Sequence, residues 1–315
     1  MVAQEQDIAN IVAEIRSLHP RVERTIEALR ARFNEGDKLV DESNQYASPD
    51  YWRLAGITDG MIKINIIIEK NFEYIETFAV LATTRYMLEL LIWSRLLTSD
   101  DPEYCFTYVK WSITGNRDYL KEHLAKVNRE IAFFEGLEDR EAKDTLDAAT
   151  RSLGVRNAGA GSPSAFSERF RMIAEENDRQ ARRRFCLYSR DAKTRGYGYQ
   201  AALMKRQVVP QLEKEIERLE KIMEAALSQM PESSRGLKRW NWKEQATKAG
   251  MTEQYDYLYS YTSRLLHATP PGLATKQKNL ELDEAVMFLE FIFVAILEAT
   301  EIAERVGRIK NPEAH

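Results

Sequence analysis

Cysteine, histidine, proline and glycine are all scarce in this sequence of 315 residues. Cys105 and Cys186 are the only cysteines, and two distant thiols do not form the disulfide framework of a small secreted domain. The four histidines form no Cys/His cluster at zinc-site spacing and no Glu-x-x-His pair typical of a di-metal bundle site. The sequence therefore predicts a reduced, cytoplasmic protein with no metal and no other cofactor.

Apolar runs long enough to cross a membrane are also missing. The most apolar stretch, residues 285–299, is interrupted by Glu290 and is too short for a bilayer span, so it predicts a central core helix. The first residues contain no basic segment followed by an apolar core, so no signal peptide is expected. No phosphate-binding or dinucleotide-binding glycine pattern and no serine nucleophile elbow occurs.

Charged and helix-forming residues are abundant. Hydrophobic residues make up 44% of the chain and charged residues 30%, which is typical of a globular protein. The net charge of −4 excludes a wholly basic nucleic-acid binder but allows a local basic patch. Apolar residues recur at helical spacing and no strand-like alternation is present. We therefore predict an all-α multi-helix bundle of about eight to ten helices.

One domain is expected over residues 1–315, with a flexible linker at 154–164. That segment, GVRNAGAGSPS, is rich in glycine and other small residues. It would separate helical halves at 1–153 and 165–315. Gly136 is expected to end one helix of the first half, and a further helix is expected to end at Gly154.

The stretch YLYSYTSRLLHATPPG, residues 257–272, contains a candidate catalytic histidine. On a helix, Tyr255, Tyr259, Ser263 and His267 are each four residues apart and form one stripe. Arg264 lies three residues before His267, close enough to meet it. In a ribonuclease the histidine would transfer a proton at the ribose hydroxyl or leaving oxygen, and the arginine would hold the phosphate.

A structural interpretation of His267 stays open beside the catalytic one. The segment RSLH at 16–19 has the same Arg-x-x-His spacing within an ordinary amphipathic helix. A histidine just before a helix end also commonly interacts with the last carbonyl groups.

A second candidate pair is Arg85 and Glu89, four residues apart in an otherwise apolar helix within RYMLELLIWSRLL. Charges in such a helix need partners. The two residues could pair only with each other and fix the helix register. Alternatively, they could face a polar pocket shared with the tyrosine–histidine stripe.

A third feature is a basic stretch from residue 179 to residue 206, with nine Arg or Lys against one acid and with tyrosines interleaved. A second basic patch, RGLKRWNWK at 235–243, adds two tryptophans. Cations hold phosphates and aromatic faces stack on unpaired bases, so RNA or another polyanion is the predicted partner. The alternative is a solvated surface whose charges pair with acidic helices. The predicted nucleic-acid-binding residues are Arg179, Arg182, Arg183, Arg184, Arg190, Arg195, Lys238, Arg239, Trp240 and Trp242.

Two stretches, RYMLELLIWSRLLTSDDPEY and NWKEQATKAGMTEQYDYLYSYTSRLLHATP, resemble a family of uncharacterised prokaryotic helical proteins, a domain of unknown function. Its pattern is an Arg-x-x-x-Glu helix, then a Trp, an Ala-Gly helix end and a Tyr-x-x-x-Tyr-x-x-x-Ser-x-x-x-His helix. The resemblance implies an all-α fold and no established activity. The matching positions are Arg85, Glu89, Trp242, Gly250, Tyr255, Tyr259, Ser263 and His267.

The chain is also remotely similar to the HEPN helical ribonucleases of toxin and phage-defence systems, which carry an Arg and a His on a late helix. In that family four to six residues separate the two, whereas two separate Arg264 from His267. The resemblance implies a metal-independent ribonuclease, with His267 as proton-transfer group, Arg264 or Arg85 on the phosphate, and Tyr259 and Ser263 orienting. It also implies a homodimer. The alternative function is a non-catalytic helical module that binds nucleic acid or protein.

Overall fold

The structure is a computed structural model that describes residues 2–37, 45–70, 77–156, 163–236, 239–266 and 280–308. These residues are almost entirely helical, with no strand among them, so the predicted all-α multi-helix fold is confirmed. Within the same residues, no helix is both long enough and apolar enough to span a bilayer.

The helices follow one another with short connections. The chain forms α1 (Val2–Ser17), α2 (His19–Asp37), α3 (Pro49–Lys70), α4 (Thr77–Leu97), α5 (Glu103–Arg156), α6 (Pro163–Arg183), α7 (Ser189–Arg195), α8 (Tyr197–Leu203), α9 (Val209–Gln229), α10 (Trp242–Lys248), α11 (Thr252–Gln254), α12 (Ser260–Leu266) and α13 (Leu282–Arg308). Two π-helical turns, Met204–Val208 and Tyr255–Tyr259, lie between α8 and α9 and between α11 and α12. Short 3-10 turns occur at Gln45–Ala47 and Glu232–Ser234.

The first of two compact units comprises residues 1–111 and 225–315. Its core centres on α4 and α13, which are buried along much of their length, as their apolar sequences predict. Leu88 and Ile92 of α4 and Phe288 of α13 are fully buried. Charged pairs lie at the edge of this core. Arg95 donates two hydrogen bonds to the Glu298 carboxylate at 2.6 and 2.8 Å.

The second compact unit comprises residues 112–224 and has its own apolar core. Helix α5 supplies Val127, Phe134 and Leu137 to this core, all fully buried. Residues from α6 to the π-helical turn after α8 cover them, among them Ala181 and Tyr197. The aromatic ring of Tyr197 meets the ring of Phe134 edge to face, with centroids 5.5 Å apart.

Helix α5 is longer than the glycines in its sequence predict. The expected helix ends at Gly136 and Gly154 are wrong, because α5 runs through both to Arg156. A glycine inside a helix costs about 1 kcal/mol relative to alanine. Burial of Phe134 and Leu137 beside Gly136 exceeds that cost, because each fully buried side chain contributes about 1.5–3 kcal/mol.

The predicted linker at 154–164 includes residues 157–162, which lie outside the described residues, so that prediction stays open.

Candidate functional site

Arg85 is the centre of a polar cluster in the first unit. Its Nε donates to Glu89 Oε1 at 3.2 Å, one turn along α4. Its two terminal nitrogens reach residues far along the chain, with Nη1 donating to Ser263 Oγ at 3.1 Å and Nη2 to Tyr259 OH at 3.0 Å. Thus α4 and the Tyr255–Leu266 segment bring together four residues that the sequence singled out: Arg85, Glu89, Tyr259 and Ser263.

The backbone that carries the tyrosines is a π-helical turn, Tyr255–Tyr259, followed by α12. Such turns are frequent at functional sites. The rings of Tyr255 and Tyr259 stack with centroids 4.6 Å apart, and the Arg85 guanidinium carbon lies 4.4 Å from the Tyr259 ring centroid. Burial, together with Tyr259, raises the pKa of Tyr255 to about 12. Burial also raises the pKa of Tyr86, with the Glu89 carboxylate adding to the effect.

Of the two remaining candidate catalytic residues, only Arg264 is among the described residues, and it makes none of the hydrogen bonds of this cluster. Arg264 lies on α12 with its side chain exposed. His267 lies outside the described residues. Gly250 follows α10 with a φ of 69°, so the helix end expected from the Ala-Gly pair is present.

The basic stretch lies in the second unit, and part of its charge is neutralised there. Arg179 pairs with Glu176 at 3.0 Å and Lys205 with Glu135 at 2.5 Å. Asp178 binds Lys193 closely and lies 3.8 Å from Arg182. Five further cations of the stretch are exposed and have no ion pair within the described part of the chain: Arg183, Arg184, Arg190, Arg195 and Arg206.

Phe185 lies in the middle of this basic stretch in an unusual conformation. Its φ is 51°, and it is the one non-glycine residue with positive φ among those described. It ends α6 in a Schellman motif, in which its N–H donates to Arg182 O at 3.0 Å and the N–H of Cys186 to Ala181 O at 3.2 Å. Glycine usually occupies this position, since a side chain there costs about 1–2 kcal/mol. The Phe185 side chain is nevertheless 78% exposed.

The loop after Phe185 is fixed by a buried carboxylate. Glu130 of α5 is 2% exposed and accepts hydrogen bonds from the N–H groups of Leu187 at 2.7 Å and Tyr188 at 3.2 Å. Its counter-ion is Lys126, 3.3 Å away, which also donates to the carbonyl oxygen of Arg184 at 3.1 Å. The loop is therefore held in place by charge-assisted hydrogen bonds.

The second basic patch has a different environment. Trp240 stacks on Trp93 with centroids 4.2 Å apart and an angle of 12° between the rings, and Trp242 meets its edge at 5.5 Å. Both predicted stacking residues are thus half-buried against other aromatic rings of the first unit. Arg239 is exposed, and Lys238 lies outside the described residues.

A groove in the second unit combines Arg184, a predicted nucleic-acid-binding residue, with two arginines that the sequence did not single out. Its volume is about 440 Å³, and it is lined by Arg129, Ala132, Phe133, Gly136, Arg140 and Arg184. No acidic residue is among these lining residues, and Arg184 lies over the Phe133 ring with Cζ 4.3 Å from the centroid. We refer to these six residues as the arginine groove. Its arginines come from positions too far apart in sequence to form a motif.

Among the described residues, no group of three or more His, Cys, Asp or Glu side chains is placed to hold a metal ion. Comparison with protein-family models, curated proteins and solved structures found no match to this chain.

Proposed function

We propose that this protein binds single-stranded RNA and that residues 179–206 supply the binding surface. Phe185 is the observation that carries this proposal, because its exposed ring is held in a costly backbone conformation among arginines. Exposed aromatic rings stack on unpaired bases, and neighbouring arginines bind the phosphates. Backbone strain of this kind clusters at functional sites, where it is part of the mechanism.

The charge distribution between the units supports the same partner. Residues 112–224 contain 22 Lys and Arg against 19 Asp and Glu, whereas the whole chain has a net charge of −4. The basic excess is therefore confined to the unit that carries Phe185. Its exposed cations include Arg183, Arg190, Arg195 and Arg206. They form no ion pair with an acid among the described residues and are therefore available to bind phosphates.

The test is fluorescence anisotropy of a labelled, short single-stranded RNA titrated with the protein between about 50 and 200 mM salt. We expect affinity to fall steeply with salt. The double variant Arg183→Glu/Arg190→Glu should weaken binding by at least about tenfold and flatten the salt dependence. The matched control is Lys214→Glu/Lys221→Glu, the same total charge change at two exposed positions of the acid-rich helix α9, which should bind as the wild type does.

Absence of binding at the lowest salt would overturn the proposal. So would equal losses in the double variant and the control, because the effect would then reflect overall charge. Tighter binding to a duplex than to the single strand would remove the stacking role of Phe185.

A second candidate function is a HEPN-like, metal-independent ribonuclease built in the first unit. The contacts of Arg85 with Tyr259 and Ser263 favour it, because they bring together three of the residues that this candidate assigns to holding the phosphate and to orientation. In this candidate His267 transfers the proton and Arg264 or Arg85 holds the phosphate. Arg85 already donates to three side chains, so it would hold a phosphate only by exchanging one of them.

The ribonuclease is tested by incubating labelled total RNA and transfer RNA with the wild type and with His267→Ala in the presence of a chelator. Cleavage lost in a variant with an unchanged melting curve supports this candidate. No cleavage by the wild type across salt and pH sinks it and leaves RNA binding intact. Light scattering of the same preparations tests the homodimer that the resemblance implies.

A further inference from the structure

All the charged residues that line the arginine groove are cations, and one of them, Arg140, also lines a second groove that contains acidic residues. Arg129 is exposed and makes no ion pair within the described residues. Arg140 donates only to neutral acceptors, Gly136 O at 3.1 Å and Gln180 Oε1 at 3.2 Å. The Arg184 guanidinium lies on the Phe133 ring. The charged lining of this groove of about 440 Å³ therefore consists of three cations, with no carboxylate among the lining residues.

We propose that the arginine groove binds the phosphomonoester of a nucleotide. A phosphomonoester carries a charge of about −1.5 to −2 at neutral pH and has three strong acceptor oxygens. Guanidinium groups match such oxygens with paired hydrogen bonds, which explains the use of arginine in place of lysine. A backbone phosphodiester, with one charge, would neutralise three arginines in one groove less well. The volume also falls in the range of about 300–1,000 Å³ typical of small-ligand sites.

Arg184 is held in position for such a ligand. The Phe133 ring is 9% exposed and supports one face of the Arg184 guanidinium, while Lys126 holds the Arg184 carbonyl oxygen at 3.1 Å. Ala132 and Gly136 are small, so they leave the space between the arginines open. A planar guanidinium held in this way also offers its other face to a nucleobase.

The phosphomonoester has two possible sources with the same chemistry, the 5′ end of an RNA chain and a free nucleotide. For the first source, the inference rests on the proposed function and names the part of the RNA that this groove reads. Arg184 immediately precedes Phe185, so one short segment would contribute to the groove and to the stacking surface.

The experiment compares one short RNA in 5′-phosphate and 5′-hydroxyl forms, with adenosine monophosphate and adenosine as free probes. We expect the 5′-phosphate to tighten binding by about tenfold, and Arg129→Gln to remove this gain while leaving the 5′-hydroxyl RNA unaffected. Arg206→Gln, on the proposed RNA surface, should weaken both RNAs equally. A melting curve for each variant checks that it folds, and Arg140→Gln repeats the test at a second position.

Each outcome decides between the two proposals. Equal affinity of the wild type for both RNAs, with no binding of adenosine monophosphate, overturns the groove proposal and leaves RNA binding intact. If neither RNA binds, the proposed function is wrong, and the binding of adenosine monophosphate alone tests the groove proposal. If adenosine monophosphate binds the wild type but not Arg129→Gln, the result supports the groove as a free-nucleotide site. If adenosine monophosphate does not bind the wild type, the groove proposal is overturned.

Discussion

The buried carboxylate of Glu130 accepts a hydrogen bond of 2.7 Å from the backbone N–H of Leu187, 57 residues further along the chain. It also accepts the N–H of Tyr188 at 3.2 Å. Helix α5 therefore holds the loop that follows α6. Because the carboxylate is buried, its removal would leave both N–H groups without this acceptor, so the loop depends strongly on Glu130.

We expect Glu130→Gln to destabilise the protein by about 1–3 kcal/mol, because an amide offers only one acceptor oxygen to the two N–H groups. Chemical denaturation measures the loss, and limited proteolysis should show faster cleavage between residues 184 and 188. The control is Glu122→Gln, an exposed position on the same helix, which should unfold as the wild type does. Equal protease resistance in both variants would mean that Glu130 does not hold the loop.

Phe185→Gly is expected to separate stability from binding. Glycine adopts positive φ without steric cost, and the ring it removes is mostly exposed, so the free energy of unfolding should rise by about 1 kcal/mol. RNA affinity should fall at the same time, by about 1–3 kcal/mol for a lost stacking contact. Denaturation and anisotropy measure the two effects. Phe185→Asn is the control, since asparagine tolerates this backbone conformation and also removes the ring.

An unchanged affinity in both Phe185 variants would remove the ring from the RNA surface. A loss of stability in both would show that the ring contributes to folding, which its exposure does not predict.

The sequence predicts the buried helices well, because the residues of a buried helix are mostly apolar and stand together in one segment of the sequence. Helix α4 and residues 285–299 of α13 carry apolar residues around most of their circumference, and both are buried. The arginine groove could not be predicted from the sequence in this way, because residues 129, 140 and 184 line one groove only through the packing of α5 against the end of α6. The positive φ of Phe185 could not be predicted either, because it depends on the hydrogen bonds at the end of α6 and phenylalanine does not favour this conformation.

Part of the Arg85 cluster was open to prediction. The four-residue spacings of Arg85 and Glu89 and of Tyr259 and Ser263 place each pair on one helix face. Their meeting across 174 to 178 residues was only one of two alternatives, because a local ion pair would have satisfied the same spacing.

Arg85→Lys is expected to lower the free energy of unfolding by about 1–3 kcal/mol. A lysine ammonium cannot reproduce the planar fork that reaches Glu89, Tyr259 and Ser263 together. Tyr259→Phe removes one acceptor, and the double variant should lose less than the sum of the two single losses. Chemical denaturation of the wild type, the two single variants and the double variant measures this double-mutant cycle. Arg264→Lys, exposed on α12, is the control and should stay within about 0.5 kcal/mol of the wild type. Strict additivity would mean that Arg85 and Tyr259 do not interact.

The Cys105 thiol makes stability depend on pH in the alkaline range. Burial raises its pKa from the ordinary value near 9 to about 11. Below pH 9 the thiol is protonated in both states and contributes no pH dependence. Above pH 9 the unfolded chain loses the proton first, so the free energy of unfolding falls by up to about 2–3 kcal/mol as the pH approaches 11.

Cys105→Ala isolates this contribution, because the tyrosines with raised pKa values titrate alike in both proteins. The variant should be less stable than the wild type at pH 8, since Cys105 is fully buried and its removal leaves a cavity. The difference in free energy of unfolding should shrink by about 1–2 kcal/mol at pH 10.5. At that pH the thiol ionises in the unfolded wild-type chain and favours its unfolding, whereas the variant has no thiol. Urea unfolding at the two pH values measures it. A difference that stays constant would show that the thiol ionises as readily in the folded protein as in the unfolded chain.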